Sequence, residues 1–130
     1  MKEMNIVLGE NQRVEAHYKD HIIKTDQPEA AGGDNSAPSP FDLFLASIGA
    51  CAGFYVMSFC RQRNIPTDKI SIIQRMHKDG GSKMITRLEI DIHLPADFPE
   101  KYRDSVLKAA GACSVKKHIA HAPEFEINLK

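Results

Sequence analysis

Two of the three cysteines in this chain lie in short segments where a thiol could be reactive. Cys51 ends the apolar run PSPFDLFLASIGAC, and Cys113 follows a Gly-Ala pair and precedes SVKKH. A thiolate is the nucleophilic form of cysteine, and a helix N-terminus or a nearby cation stabilises it. A thiol inside an apolar helix is more often an inert core residue. The two cysteines therefore predict either a redox pair or two structural thiols.

The third cysteine, Cys60, is expected to have a different role. It lies nine residues after Cys51, so at about 100° per residue it faces the opposite side of the same helix. We expect it to be a core residue that does not pair with Cys51. No CxxC pair occurs, and His118 and His121 have no third ligand in register. The sequence therefore predicts no metal site.

The composition is that of an ordinary globular protein. The 130 residues, 42% apolar and 26% charged, predict a single domain over residues 1–130. Seventeen basic residues balance seventeen acidic ones, which argues against nucleic acid as a partner. The N-terminal segment MKEMNIVLGENQ has no apolar core of a secretory signal. With an odd number of cysteines, the expected location is the cytoplasm, where thiols stay reduced.

One segment has the length of a membrane span. Residues 43–60 contain no formal charge, which reaches the threshold for a transmembrane helix. Alanine, serine, glycine and cysteine dilute its large apolar side chains, and strand patterns flank it on both sides. We therefore expect a buried central helix and no membrane.

The elements around the cysteines predict an α+β fold. Short strands are expected at residues 5–8, 13–18 and 21–24, followed by a polar loop over residues 25–39 that contains Gly32-Gly33. These glycines indicate a positive φ or a close backbone approach. Ser39 and Asp42 form a capping box for a helix that begins at Pro40 and ends near residue 63.

The second half of the chain repeats the mixture of strands and helices. Long strands at residues 69–78 and 84–94 are joined by a Gly-rich turn, and helices follow at residues 99–110 and 113–120. The alternating residues 124–129 predict a last strand. Gly49 and Gly53, on one face of the central helix, predict that another backbone packs closely there.

In combination, these segments resemble the OsmC/Ohr family of osmotically inducible and organic hydroperoxide resistance proteins. The resemblance extends over about residues 12–125 and is carried by TDQP, the Gly-Gly pair, the run ending in Gly-Ala-Cys51, and Cys113-Ser-Val about sixty residues later. It implies an OsmC-like fold, a curved antiparallel sheet packed on the central helix that carries Cys51. It also implies an intertwined homodimer.

The resemblance implies a thiol-dependent peroxidase that reduces organic hydroperoxides and needs no bound cofactor. Cys51 would be oxidised to a sulfenic acid, Cys113 would resolve it as a disulfide, and an external thiol or dithiol reductant would restore both thiols. The expected partners are a second copy, a small-molecule peroxide and the reductant. Four aromatic residues would supply an apolar substrate pocket: Phe41, Phe44, Phe54 and Tyr55.

The chain departs from the family at the activating residues. Peroxidases of this family use an arginine, steadied by a glutamate, to activate the thiolate. Phe41 stands where the glutamate is expected, with Asp42 beside it, and Arg13 is the only arginine before Arg61. Arg13 and Asp42 are therefore the candidate activating residues, although a solvated strand residue and a helix cap are their structural alternatives. Two alternative functions stay open: a non-catalytic relative that binds a small apolar or acidic ligand, and a thiol redox sensor.

Overall fold

The computed structural model describes residues 2–130. Its elements are strands, a long helix, strands and two short helices, in the order that the sequence predicts for residues 5–120. The chain has two compact units: the first ends at Ala46, and the second runs from Ser47 to Lys130. The boundary between them falls inside the long helix. A single domain over residues 1–130 stays a prediction.

The first unit contains one antiparallel sheet of three strands in chain order: β1 (Asn5–Leu8), β2 (Val14–Tyr18) and β3 (His21–Thr25). Ile6 pairs with Ala16, and Val14 pairs with Thr25. The three strands lie within one residue of their predicted bounds. Short apolar runs between turn residues were therefore a sufficient signal here.

The loop after β3 is ordered around a buried carboxylate. Asp26 is fully buried, and its oxygens accept hydrogen bonds from the Ser36 hydroxyl at 2.6 Å, the Ser36 N–H at 3.0 Å and the Gln27 N–H at 2.8 Å. The Ser36 hydroxyl and these N–H groups lower the pKa of Asp26 from 3.8 to about 2. The long polar loop is therefore held by a charge-assisted network.

The Gly-Gly pair in this loop meets both expectations for it. Gly32 has a φ of 87° after a 3₁₀ turn at Glu29–Ala31. A Cβ added to Gly33 would lie 2.0 Å from the Gln27 carbonyl oxygen. The first glycine allows a left-handed backbone, and the second allows two backbone segments to touch.

The long helix, α1 (Pro40–Gln62), begins at the predicted capping box. The Ser39 hydroxyl accepts a hydrogen bond from the Asp42 N–H at 3.1 Å, and an Asp42 carboxylate oxygen accepts one from the Ser39 N–H at 3.0 Å. Among residues 2–130, only α1 is long and apolar enough to cross a membrane, judged by length and composition alone. Core helices of soluble proteins meet the same criterion.

The second unit contains a two-stranded antiparallel ribbon, β4 (Ser71–Lys78) and β5 (Ile85–His93). Gln74 and Ile72 of β4 lie against the glycine face of α1, where a Cβ on Gly49 would lie 2.6 Å from the Gln74 Oε1 atom. The prediction of a close backbone at this face was therefore wrong. The glycines instead make room for side chains of the neighbouring strand.

The alternate side chains of the ribbon carry charge. Arg75 pairs with Asp91 and with Glu89, and His77 lies 2.8 Å from Glu89. These groups are partly exposed, and such ion pairs contribute little to stability. They give the ribbon one polar face and leave the other to contact α1.

The core of the second unit lies at the C-terminal end of α1. Val56 and Cys60 of α1 are buried with Phe98 and Val106. Val106 belongs to α2 (Arg103–Ala110), which follows a 3₁₀ turn at Glu100–Tyr102 and precedes α3 (Ser114–Ala120). The predicted helix over residues 99–110 is therefore part 3₁₀ and part α-helix.

The predicted last strand was wrong. Residues 122–130 have no regular secondary structure, and the side chains of Phe125, Ile127 and Leu129 are 87%, 95% and 100% exposed. An alternating pattern forms a strand only where a neighbouring strand accepts its hydrogen bonds. Within residues 2–130, the segment has no such neighbour.

Candidate active site

The second unit brings Cys51 together with the start of α3. Cys51 is partly buried on α1, and its sulfur lies 3.8 Å from the Ser114 hydroxyl oxygen. The Cys113 side chain and the Val115 backbone N–H also hydrogen-bond to the Cys51 sulfur. Two segments about sixty residues apart in the chain thus meet at one thiol.

These contacts change the acidity of Cys51. Hydrogen bonds from the Cys113 side chain and then from the Val115 N–H lower the pKa of Cys51 below its usual value of 9.0. The hydroxyl and N–H of Ser114 lower it further, while partial burial opposes the change. The donors favour the thiolate because a charged acceptor forms the stronger hydrogen bond. The arrangement therefore favours the nucleophilic form of this sulfur.

Cys113 forms the N-cap of α3. It is buried, and its sulfur accepts a hydrogen bond from the Lys116 N–H at 3.4 Å. Its side chain also hydrogen-bonds to Cys51, so Cys113 joins the helix terminus to the other thiol. The predicted position of Cys113 at a helix start is confirmed.

Cys60 lies in a different environment on the same helix. Its exposed fraction is 0%, and it packs with Val56, Phe98 and Val106. Burial raises the pKa of Cys60, with a smaller opposing effect of the positive charge on Arg63. It is a core thiol, as the helical spacing predicts.

Arg13 is held by polar residues of the first unit. Its guanidinium lies 2.9 Å from an Asp34 carboxylate oxygen, and its Nε donates a hydrogen bond to the Ser36 hydroxyl at 3.1 Å. Ser36 in turn donates to Asp26. Arg13 thus belongs to the network that orders the loop, and its activating role stays a prediction.

The contacts of Asp42 are those of a helix cap, as described for the start of α1. A catalytic role for Asp42 stays a prediction.

The four aromatic candidates form two pairs. Phe41 and Phe44 stack in the first unit with ring centroids 5.7 Å apart. Phe54 and Tyr55 meet edge to face in the second unit, with centroids 5.4 Å apart. Phe54 also lines a shallow depression of about 310 Å³ with Met57 and other residues of α1. A common substrate pocket of all four stays a prediction.

A larger cleft lies at the end of α1. It has a volume of about 670 Å³, and its lining includes Arg63, Lys69 and Tyr102 but neither Cys51 nor Cys113. Among residues 2–130, no cluster of histidine, cysteine or acidic side chains is arranged to hold a metal ion.

Sequence reasoning missed Ser114 and Val115 as donors to Cys51. Both follow Cys113 directly in the chain. Their position could have indicated this role. The first N–H groups of a helix have no partner within it, so residues that follow a candidate resolving thiol at a helix start have donors to offer.

Known structures share this fold. A protein from Psychrobacter arcticus 273-4, whose name refers to osmotic stress and detoxification, matches with a TM-score of 0.73 and 20% identity, over 90% of this chain and 87% of that chain. An organic hydroperoxide resistance protein OsmC from Legionella pneumophila matches with a TM-score of 0.57 and 17% identity, over 92% and 88%. An OsmC like protein from Mycoplasma pneumoniae matches with a TM-score of 0.66 and 12% identity, over 94% and 89%. At these identities the likeness concerns the fold.

Sequence comparison gives the family. No curated protein is significantly similar to this chain in sequence. A family model described as OsmC-like protein matches residues 33–128, which include α1, Cys51 and Cys113. The mixed α+β fold, with small antiparallel sheets and three helices, agrees with this match. The chain belongs to the OsmC-like protein family.

Proposed function

We propose that the protein is a thiol-dependent peroxidase that reduces organic hydroperoxides at Cys51. The observation that carries the proposal is the set of hydrogen bonds from residues 113–115 that lowers the pKa of the Cys51 thiol. A thiol that ionises more readily supplies more of the nucleophile that peroxide reduction requires. The organic hydroperoxide resistance protein from Legionella pneumophila, which has the same fold, also supports it.

The first step would oxidise Cys51. Its thiolate attacks one oxygen of the hydroperoxide, the O–O bond breaks, and the alkoxide leaves as an alcohol after taking a proton. Cys51 becomes a sulfenic acid. Phe54 and Tyr55, on the same helix, are proposed to supply apolar contacts to the organic group of the substrate.

The second step would join the two thiols. The Cys113 sulfur attacks the sulfenic sulfur of Cys51, a disulfide forms, and water leaves with the proton of the Cys113 thiol. Two electrons from an external thiol or dithiol then reduce the disulfide. The proposed cycle needs no bound cofactor, and its reductant pool is that of the cytoplasm, the proposed location.

We also propose that the protein acts as a homodimer. The exposed alternating side chains of Phe125, Ile127 and Leu129 support a second copy, because apolar side chains in that pattern are typical of a strand with a partner. Light scattering after size exclusion is expected to give twice the monomer mass, and a monomer at micromolar concentration would contradict the proposal.

The peroxidase is tested by thiol mass spectrometry after one equivalent of cumene hydroperoxide. Wild type is expected to form a Cys51–Cys113 disulfide, and Cys113→Ser is expected to stop at a Cys51 sulfenic acid that dimedone traps. Cys60→Ala is the matched control and is expected to behave as wild type. With dithiothreitol present, wild type should consume hydroperoxide over many turnovers, and Cys51→Ser should not.

Other outcomes would favour the alternatives. If all three thiols stay reduced over minutes, the catalytic proposal is overturned and a ligand-binding role is favoured. If the disulfide forms but no small thiol or dithiol reduces it, a redox sensor is favoured.

A further inference from the structure

The Ser114 hydroxyl faces the sulfur of Cys51, and its side chain has a role of its own that can be separated from the backbone donors of the same segment. Its oxygen lies 3.8 Å from the Cys51 sulfur, within reach of a hydrogen bond to sulfur. In the thiol form either atom can be the donor. In the thiolate form the sulfur has no proton, so the hydroxyl must donate. The contact is therefore stronger in the reactive form of Cys51.

A second contact holds Ser114 in place. A ring nitrogen of His118, Nδ1, lies 2.7 Å from the Ser114 carbonyl oxygen, one helical turn further along α3. Because a carbonyl can only accept, Nδ1 carries the proton of this bond. This bond fixes the Ser114 peptide near Cys51. The hydroxyl oxygen already faces the sulfur, so only a rotation of the O–H group is needed for it to donate.

The other groups that favour the Cys51 thiolate are also uncharged donors. They are the Cys113 side chain and the N–H groups of Ser114 and Val115. Cys113 is the titratable group among them, and the charged groups of α3, Lys116 and Lys117, lie on its exposed surface. No cation is among the groups that lower the pKa of Cys51. A hydrogen bond from a neutral donor stabilises a thiolate, as a nearby cation also does.

We propose that Ser114 is a positioning residue that orients and stabilises the Cys51 thiolate through a hydrogen bond from its hydroxyl. The inference rests on the proposed function, because it names a further residue of the same peroxidatic site. Ser114 does not touch the peroxide in this proposal; it acts through the sulfur that does. A sulfenic acid at Cys51 would carry its own O–H donor, and the Ser114 hydroxyl oxygen could then accept a hydrogen bond from it.

The test measures the pH dependence of iodoacetamide alkylation at Cys51, without peroxide, in reduced protein. For Ser114→Ala we expect the profile to move to higher pH, with the rate below the midpoint about fivefold lower and the plateau unchanged. Ser114→Thr keeps the hydroxyl and should return the rate to within about twofold of wild type. Ser105→Ala removes an exposed serine from α2 and is the matched control.

Each outcome is decisive. An unchanged profile for Ser114→Ala, or a Ser114→Thr profile equal to that of Ser114→Ala, would overturn the positioning role. Circular dichroism at each pH shows whether a variant is folded. If Ser114→Ala is not folded, Ser114→Thr is compared with Ser114→Val instead, because threonine and valine side chains have the same shape and only threonine has the hydroxyl. If the profile of Ser114→Ala shifts but the protein does not react with hydroperoxide, the positioning role of Ser114 stands and the peroxidase proposal is overturned. If the protein turns over hydroperoxide but the profile does not shift, the peroxidase proposal stands and the positioning role is overturned.

Discussion

Cys51 and Cys60 lie nine residues apart on α1, and they meet different parts of the second unit. Residues 113–115 surround Cys51 with hydrogen-bond donors, which lower its pKa. Apolar side chains of the core surround Cys60, and burial raises its pKa. The same residue type on the same helix therefore has a lowered pKa in one place and a raised pKa in the other. What differs is the second segment that each cysteine faces.

The comparison shows that a position on an apolar helix does not by itself determine the acidity of a thiol. Cys60 follows the common rule for buried cysteines, since it packs as a small apolar side chain. Cys51 departs from the rule because the start of α3 brings donors to its sulfur. The contrast between the two sulfurs can be tested without knowing the substrate.

The largest expected effect is on native-state alkylation. At pH 7.5 we expect iodoacetamide to modify Cys51 at least about a hundredfold faster than Cys60, because the Cys51 sulfur is partly exposed and has a lowered pKa, while Cys60 reacts only after the core opens. Peptide mass spectrometry at a series of times gives both rates in one sample. In 8 M urea the two rates should agree within a few-fold. Similar rates in the native protein would contradict the assigned environments.

The next largest effect, on the alkylation rate of Cys60 in a core variant, separates the contribution of core opening from that of thiol acidity. Val106 is 1% exposed and packs in the Cys60 cluster. Val106→Ala is expected to cost about 2 kcal/mol of unfolding free energy through the cavity it leaves. If Cys60 reacts through opening of this core, its alkylation should then be roughly 25-fold faster, since 1.4 kcal/mol is a factor of ten.

Cys51 serves as the internal reference for this variant. Its alkylation rate should change by less than about twofold, because its sulfur is already accessible in the native state. Leu107→Ala is the matched control, as Leu107 is the next residue of α2 and is 62% exposed. An equal acceleration of Cys51 and Cys60 in Val106→Ala would indicate that both thiols depend on the same opening and would remove the contrast.

Local signals predicted most of the fold. The capping box at Ser39 and Asp42 placed the start of α1 correctly, and the end predicted near residue 63 lies within one residue of Gln62. The ribbon was predicted from alternation on both sides of a Gly-rich turn. Residues 124–129 show the limit, because alternation predicts a strand's faces and not the presence of a neighbouring strand.

The candidate site was harder to predict from residue patterns. Their local settings marked Cys51 and Cys113 as candidate thiols, but their roles as a reacting pair came from the family resemblance, since nothing local joins residues so distant in the chain. The contact between Ser114 and Cys51 depends on how α3 meets α1, which is a tertiary property. Arg13 illustrates the same difficulty: its partners Asp34 and Ser36 lie in a loop without periodicity. Composition alone could not identify which polar residues this arginine would contact.

The smallest expected effect is on the pH dependence of stability, and it has opposite signs for the two thiols. Each pKa unit between folded and unfolded states corresponds to about 1.4 kcal/mol. Cys51 has a folded pKa below the unfolded value of 9.0. Its contribution to the unfolding free energy is therefore present above pH 9 and is lost as the pH falls through the folded pKa. Cys60 has a folded pKa above 9.0, so its contribution is present below pH 9 and is lost as the pH rises through the folded value.

Urea unfolding of wild type, Cys51→Ser and Cys60→Ala between pH 7 and pH 10 measures the two contributions as differences, in which the titration of other groups cancels. The stability of wild type relative to Cys51→Ser should increase toward pH 9. The stability of wild type relative to Cys60→Ala should decrease above pH 9. If both differences were independent of pH, neither thiol would have a shifted pKa in the folded protein. The contrast between the donor-lined and the core-buried sulfur would then be one of accessibility alone.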